Sequence, residues 1–410
     1  MNNLIRRIFE NMRALDVTEM ILLTLCAVFL PWSWQLSLKM LYLLVLNGTV
    51  KCIAYKEFGN KSLDKKKRIV LCLLPALYIS LAISALYSTN SDVSLNFLTR
   101  KLPLMVFPLY FLLCAMPYFN RIHLRSIAYS FTISLIIKFI YRLTICIVSH
   151  KALISGSFDP LHHTYMAMYL LFAATFLYSE IYTNWYNSGK GQRILLILCA
   201  IAIAAYTFLV QSRTGILGLI LLAVAIILHQ AVILKHIKTA LIATAIALVC
   251  GTTMFLATPE RSRRLAETVK EANDGDHSDM RYFIMSTSMN LAVENLPWGV
   301  GIGDRPQLLL EEYEKLGHQK AIDHVYNPHN IYIDALLTAG IPCLLILIAV
   351  LTFPAIVAIK RKDIILAGFI FSMALTGFFE EIFDRQMGIL FLGLMYAVGI
   401  AGTKQNTTTC

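Results

Sequence analysis

Residues 331–358 read IYIDALLTAGIPCLLILIAVLTFPAIVA, and Asp334 is the one charged side chain among them. About twenty consecutive apolar residues cross a bilayer as an α-helix, which satisfies its own backbone hydrogen bonds in lipid. The stretch is therefore predicted to be a transmembrane helix. The preceding residues, Pro328-His329-Asn330, then lie at one surface of the membrane.

The rest of the chain has the composition of a protein whose solvent is lipid. Of its 410 residues, 57% are hydrophobic and 15% are charged, against roughly 45–50% and about 25% in soluble domains. The pattern predicts an all-α polytopic membrane protein with about twelve transmembrane helices in one membrane domain, residues 1–410. The predicted spans are 17–37, 38–55, 69–88, 103–118, 126–149, 163–182, 194–210, 214–233, 239–257, 331–358, 364–379 and 387–402.

The placement of lysine and arginine predicts which side of the membrane each segment faces. With both termini in the cytoplasm, the cytoplasmic segments carry 20 of these residues and the short outside segments carry 5. Short basic loops stay in the cytoplasm, whereas long loops cross largely regardless of charge. The chain is therefore predicted to be a multi-pass inner-membrane protein with His329 on the periplasmic side.

The longest segment outside the membrane is predicted to be a periplasmic loop, residues 258–328, between the ninth and tenth spans. It is too polar to cross lipid. Apolar residues recur in it with helical spacing from Met280 to Leu291, which predicts an amphipathic helix on the outer surface.

Charge and cysteine content exclude other classes of protein. The net charge of +11 comes from short loops between apolar runs, so it indicates membrane orientation and not nucleic-acid binding. The nine cysteines form no C-x-x-C pair, and neither a disulfide framework nor a metal site is predicted. The apolar run after Arg6, Arg7 and Arg13 lacks a small-residue cleavage site, which favours an uncleaved first span over a signal peptide.

Arg213 is predicted to lie at the periplasmic start of the eighth span, in the turn Gln211-Ser212-Arg213. A helix N-terminus presents unpaired N–H groups and a partial positive charge. An arginine there opposes the helix dipole, so the combination indicates an anion-binding position. The alternative is an arginine that extends towards lipid phosphate at the membrane surface.

His329 is predicted to occupy the first turn of the tenth span, with Asn327 as the N-cap and Pro328 at the first helical position. The positive helix end disfavours an imidazolium ion, so the ring is predicted to be neutral and able to accept a proton. Such a ring beside an anion site suits a general base. The alternative is an interfacial histidine without a chemical role.

Other basic residues have weaker patterns. Arg281 opens the predicted surface helix and could bind an anion or pair with Asp279 or Glu294. Lys138 and Arg142 share one face of the fifth span, where ionisable groups need a cavity or a partner. Arg142 could extend the anion site, whereas Lys138 is predicted to neutralise a carboxylate or a carbonyl.

The last outer turn concentrates charge, and it could hold the rim by salt bridges or hydrogen-bond a sugar; the structural role is favoured. Its charged residues are Glu380, Glu381, Asp384 and Arg385. His162 and His163 begin the sixth span on the same side. Adjacent residues of a helix point to different faces, so a shared metal is not predicted.

The order of these motifs resembles the O-antigen ligase and polymerase superfamily, most strongly over residues 205–400. Gln211-Ser212-Arg213-Thr214-Gly215 opens a span, and Arg281 lies in a surface helix. The motif N-L-P-W-G-V-G-I-G follows at 295–303, then Pro328-His329-Asn330 and, ten residues on, Gly340-Ile341.

The resemblance implies a GT-C-like, inverting, metal-independent glycosyltransferase without a cofactor, at the periplasmic face of a bacterial inner membrane. It implies an undecaprenyl-diphosphate-linked glycan as donor and, for a ligase, lipid A–core oligosaccharide as acceptor. On this chain Arg213 and Arg281 would bind the diphosphate and His329 would activate the acceptor hydroxyl. Further substrate or rim positions are Arg142, His163, Asn330, Glu381 and Arg385.

Two other functions remain open. A polymerase would use the same donor chemistry and join lipid-linked repeats. A transporter or flippase of lipid-linked glycan would be expected to show internal repeats and broken helices near the bilayer midplane. No two-fold hydropathy repeat is evident, so a ligase is predicted.

Overall fold

The computed structural model describes residues 12–60, 63–149, 158–233 and 280–403. These residues form fifteen α-helices joined by turns, with no strand among them. The helices are Ala14–Phe29 (α1), Trp34–Tyr55 (α2), Lys65–Ala85 (α3), Ser91–Lys101 (α4), Pro103–Leu113 (α5), Arg121–Val148 (α6), His163–Asn184 (α7), Lys190–Leu209 (α8), Arg213–Leu228 (α9), Met280–Glu294 (α10), Arg305–Lys315 (α11), Gln319–His324 (α12), Ile331–Lys360 (α13), Ile364–Phe379 (α14) and Gln386–Gly402 (α15).

Six of these helices are long and apolar enough to cross a membrane: α2, α3, α6, α8, α13, and α9 extended to Ala231. Three more, α5, α14 and α15, are apolar but shorter. The all-α, multi-pass prediction is therefore confirmed, whereas the number twelve is not. The predicted ninth span, 239–257, and residues 258–279 of the predicted loop lie outside the described residues.

The predicted first span, 17–37, is wrong in its extent. Helix α1 ends at Phe29, and α2 begins at Trp34 after a turn that contains Pro31. The Ser33 side chain caps α2 by accepting a hydrogen bond from the Leu36 N–H at 3.4 Å. A proline followed by a capping serine ends one helix and starts the next, which apolar content alone does not reveal.

Helices α7 and α15 form the centre of the bundle. Every residue from Gly388 to Gly402 in α15 is buried, and so are most residues of α7. Helix α7 carries threonine, tyrosine and glutamate side chains, yet it is enclosed by protein. Protein contacts therefore satisfy polar groups that lipid would not.

Helix α13, which contains the apolar residues 331–358, is broken at Ala339 and Gly340. The preceding loop supplies the missing backbone partners: the N–H groups of Val300 and Gly301 donate to carbonyls of the broken turn at 2.8 and 2.9 Å. The Ile341 N–H donates to the Pro297 carbonyl at 2.9 Å. Two of the motifs that carry the family resemblance are thus one structural unit.

Replacing Gly340 by alanine is expected to lower the free energy of unfolding by about 3 kcal/mol or more. Gly340 has a φ of +71°, and a Cβ atom there would lie 1.9 Å from the Pro297 carbonyl oxygen. Thermal unfolding of the purified protein measures the loss. The matched control is Gly191→Ala in α8, where nothing lies within 4 Å of an added Cβ; equal stability of the two variants would contradict the explanation.

Candidate functional site

One end of the bundle brings together loops that are far apart in sequence, and we call it the histidine end. The first turn of α7 meets the segment between α14 and α15, since the Tyr165 hydroxyl donates to the Glu381 carbonyl at 3.1 Å. The segment before α13 meets the end of α14, where the Asn330 side chain donates to the Phe378 carbonyl at 3.0 Å. These two contacts fix the start of α7, the end of α14 with the segment that follows it, and the segment before α13 relative to one another.

His329 lies at the centre of this end. Its ring atom Nδ1 is 3.2 Å from Glu380 Oε1, and its side chain is 19% exposed. Its backbone has a φ of +49°, and its N–H donates to Asn327 Oδ1 at 3.2 Å. The Tyr326 ring packs beside it with centroids 5.6 Å apart. The hydrogen bond to Glu380 fixes the ring and leaves Nε2 for chemistry.

The predicted capping of α13 is wrong. Asn327 and Pro328 precede the helix, and the N-cap is Asn330, whose Oδ1 accepts from the N–H groups of Tyr332 and Ile333 at 2.9 and 3.0 Å. His329 therefore precedes the helix and does not lie in its first turn. Asn330 was also a predicted substrate contact; with its amide used in capping, that role stays a prediction.

Glu380 is the partner of His329, at the end of α14. Its carboxyl group is buried. Burial alone would raise its pKa, but the hydrogen bond with His329 and the charges of His162 and Arg281 outweigh burial and lower the pKa of Glu380. Glu380 is thus a buried carboxylate that can hold a cationic imidazole beside it.

Arg281 reaches this site from the first turn of α10. Its charge acts on both Glu380 and His163, so Arg281 lies near the histidine end, whereas its role in binding a diphosphate stays a prediction. Helix α10 is present as predicted and buries Ile284 and Leu291, but its other side exposes the apolar side chains of Tyr282, Met289 and Val293, so it is not the amphipathic helix that was predicted.

The two adjacent histidines at the start of α7 do not diverge, contrary to the prediction. The rings of His162 and His163 stack with centroids 4.4 Å apart, because His162 is the N-cap of α7 and lies outside the helix. Burial, followed by the charge of His163, lowers the pKa of His162 to about 4. His163 is exposed.

Arg213 is the first residue of α9, as predicted, and its side chain is exposed. The Ser212 hydroxyl caps the helix by accepting from the Gly215 N–H at 3.2 Å. Gly215 packs closely on Ala167 of α7, so the Arg213 turn lies beside the first turns of that helix. Within the described ranges Arg213 makes no hydrogen bond or ion pair, and it does not contact His329 or Glu380.

Two further predicted positions, Arg142 and Arg385, have surroundings that differ from each other. Arg142 donates from Nε to the Phe158 carbonyl at 2.8 Å, next to Lys138, which pairs with Asp159 at 2.9 Å and with the Pro31 carbonyl at 2.6 Å. Lys138 therefore neutralises a carboxylate and a carbonyl, as predicted. Arg385 is exposed at the start of α15, and its charge acts on the His162 ring.

Sequence reasoning missed a buried charge network beneath the histidine. Arg305, at the start of α11, pairs with Asp334 and, at 2.9 Å, with Asp384. Lys101 donates to the Phe383 carbonyl at 2.6 Å and lies 3.4 Å from Asp384. The network could have been inferred from Asp334, because a lone carboxylate in an apolar span requires a cationic partner.

The network is joined to His329 through Asn327. The Asn327 side chain donates to Asp384 Oδ2 at 3.1 Å and accepts from the His329 N–H. The network therefore fixes the loop that presents the histidine, which confirms the structural role that was favoured for Asp384.

Glu381 lies next to the carboxylates of this network and is fully buried. Burial, followed by the charges of Asp334 and Asp384, raises its pKa well above the usual range. The carboxylate oxygens of these three residues lie within 4.8 Å of one another, a spacing that a cation could use. With Glu381 protonated and therefore neutral, the two positive charges of Arg305 and Lys101 match the two negative charges of Asp334 and Asp384.

These features define an all-α, multi-pass membrane protein with a histidine–carboxylate site at one end of its bundle. Residues 194–348 match the family model described as O-antigen ligase, so this part of the chain is similar to the O-antigen ligase/polymerase superfamily, consistent with the resemblance. The match includes Arg213, Arg281 and His329, whereas Glu380 follows it. A search of curated proteins finds no match.

Proposed function

We propose that the chain is a GT-C-like membrane glycosyltransferase of the O-antigen ligase type. It transfers a glycan from undecaprenyl diphosphate to lipid A–core oligosaccharide at the periplasmic face of a bacterial inner membrane, with both termini in the cytoplasm. The observation that carries this proposal is the His329–Glu380 pair with Arg281 beside it, because it joins a fixed proton acceptor to a cation that can bind an anionic leaving group.

His329 acts as the general base. Its Nδ1 is held by Glu380 at 3.2 Å, so Nε2 takes the proton of the acceptor hydroxyl as that oxygen attacks the sugar. The Glu380 carboxylate stabilises the imidazolium ion that forms. Attack from the face opposite the diphosphate inverts the configuration of the sugar.

The arginines stabilise the leaving diphosphate. Its negative charge increases as the bond to the sugar breaks, so fixed cations stabilise the transition state more than the bound donor. Arg281 lies in the site, and the exposed Arg213 adds its guanidinium group to the free N–H groups of a helix N-terminus. The prenyl chain of the donor stays in lipid.

No metal or other cofactor is required in this mechanism, because two guanidinium groups supply the positive charge. The one carboxylate cluster near the site, within the part of the chain that the structure describes, is already balanced by Arg305 and Lys101. Transfer is therefore expected to persist in EDTA.

A transfer assay with purified protein in nanodiscs tests the proposal. A defined undecaprenyl-diphosphate glycan is offered with lipid A–core oligosaccharide or with a second lipid-linked repeat, each with and without EDTA. Product on lipid A–core supports a ligase; product on the second repeat identifies a polymerase. Movement of labelled donor across liposomes without transfer to either acceptor would overturn the proposal in favour of a transporter, and EDTA inhibition reversed by Mg²⁺ would reject metal independence.

Replacing Arg213 by lysine is expected to lower the rate of transfer by about 100-fold. A lysine keeps the charge but cannot make the two parallel hydrogen bonds of a guanidinium group to a phosphate. The rate of the purified variant at saturating donor measures the effect. The matched control is Arg193→Lys in α8, whose guanidinium contacts the Trp185 carbonyl at 2.8 Å, far from the histidine end; an equal loss in both variants would refute the role.

A further inference from the structure

The outward side of α10 is apolar. Tyr282, Met289 and Val293 are exposed there, and their spacing of seven and four residues places them on one face of the helix. The chain continues past α10 with Leu296 and Trp298, which are also exposed, Trp298 by 64%. We call these five residues the outward stripe. Apolar surface in water costs free energy in proportion to its area, so a stripe of this length indicates a surface that contacts another partner.

The far end of the outward stripe meets the lipid-facing side of α13. The Ile341 N–H donates to the carbonyl of Pro297, between the last two stripe residues, at 2.9 Å. Ile341 lies ten residues after Ile331, or about 15 Å along the helix. Ile341, Leu345 and Ile348 are exposed at the spacing of one helix face, and α13 is long and apolar enough to cross a membrane. The stripe therefore continues a surface that faces lipid.

Trp298 also has the neighbour expected at a membrane boundary. The Tyr87 hydroxyl donates to the Trp298 carbonyl at 2.6 Å, and Tyr87 lies two residues past the end of α3, another helix that can cross a membrane. Tryptophan and tyrosine are enriched where lipid meets water, because each has an apolar ring and a polar group. The two rings therefore mark the level at which α3 leaves the membrane.

A further side of α10 is polar. Asn290 and Glu294 are exposed there, and their spacing from Phe283 places all three on one side of the helix. The Phe283 ring packs on the ring of His318, just before α12, with centroids 4.2 Å apart. This side therefore faces the short polar helices of the histidine end. A helix at the membrane boundary requires such a polar side towards water and an apolar side towards lipid.

We propose that the outward stripe is inserted into the membrane leaflet at the histidine end, with lipid hydrocarbon chains as its partner. Helix α10 is then a boundary helix that enters the leaflet beside α13, and not a helix that lies on the membrane surface. Arg281, in its first turn, lies at the level of the lipid headgroups. An anionic headgroup can bind there while its chains remain beside the stripe.

Photolabelling of the wild-type protein in nanodiscs tests the insertion. The probe is a phosphatidylcholine with a diazirine near the headgroup end of its acyl chain, because boundary helices insert about 5–10 Å. Mass spectrometry maps the adducts. We expect adducts within residues 289–298 and around Leu345, which is 60% exposed and serves as the positive control. Helix α11 is the matched negative control, since it lies at the same end and exposes Gln307, Glu314 and Lys315.

Trp298 provides a second measurement. Replacing Trp32, Trp34 and Trp185 by phenylalanine leaves Trp298 as the one tryptophan of the chain. In vesicles of phosphatidylcholine with brominated acyl chains we expect this variant to lose emission, whereas aqueous iodide should quench it little. The matched control adds Trp298→Phe and Lys315→Trp to the same background, and it should show the reverse.

The outcomes decide the proposal without a transfer assay, so it stands or fails separately from the proposed function. Adducts at Leu345 without adducts at 289–298 would overturn the insertion. Labelling of α11 as strong as that of α10 would also overturn it, because the stripe would then be no closer to lipid than a polar helix. Equal iodide quenching of tryptophan at positions 298 and 315 would lead to the same conclusion.

Discussion

Replacing His329 by glutamine is expected to lower kcat for glycan transfer by about 1000-fold. Glutamine can occupy the space of the ring and bond to Glu380, but it cannot accept the proton of the attacking hydroxyl. Donor binding should change little, because the arginines that are proposed to bind the diphosphate are retained. The loss is measured as kcat with the purified protein, alongside the binding of labelled donor.

The matched control for this variant is His324→Gln. His324 is an exposed histidine of the neighbouring helix α12, five positions before His329, and its replacement is expected to leave kcat within about twofold of the wild type. A His329→Gln variant with near-normal turnover would remove the base role. Loss of donor binding in the same variant would assign His329 to binding and not to proton transfer.

Replacing Arg305 by leucine is expected to lower the free energy of unfolding by about 3–5 kcal/mol. The change removes the ion-pair partner of the buried Asp334, whereas the largely buried Asp384 keeps its contact with Lys101 at 3.4 Å. An uncompensated carboxylate in a buried site is strongly destabilising. The midpoint of thermal unfolding in detergent measures the effect.

A compensating variant distinguishes charge imbalance from lost packing. Arg305→Leu combined with Asp334→Leu removes one charge of each sign, so it should recover a substantial part of the stability lost in the single variant. The control is Lys315→Ala on the same helix, whose ion pair with Glu312 is exposed, so its loss should leave the midpoint of unfolding almost unchanged. Equal midpoints for the single and double variants would contradict the charge argument.

The all-α, membrane-spanning fold could be predicted from the sequence, because a helix needs about twenty consecutive apolar residues to cross a bilayer. Residues 331–358 are helical as expected, and the helix predicted from Met280 to Leu291 is present as Met280–Glu294. The break at Gly340 could not be predicted, since the partners of its backbone come from the loop at 297–301. Likewise the turn at Pro31 divides an apolar run that length alone treats as continuous.

The candidate site could be predicted in part. His329 and Arg281 were identifiable because each stands at a predicted membrane surface beside a helix start. Glu380 was predicted as part of an acidic turn, but its pairing with a histidine 51 positions earlier depends on how α13 and α14 pack. Residue type does not distinguish Asn327 from Asn330, because asparagine is a good N-cap at either position. The Asn327 side chain donates a hydrogen bond to Asp384, and Asn330 caps the helix.

The position of a bound lipid diphosphate tests directly whether Arg213, Arg281 and His329 form one site. Electron cryomicroscopy of the chain in nanodiscs with a lipid-linked sugar diphosphate would locate it. We expect diphosphate density between the side chains of Arg213 and Arg281, with His329 facing the sugar. Diphosphate density at the opposite end of the bundle, or packed helices between the two guanidinium groups, would contradict it.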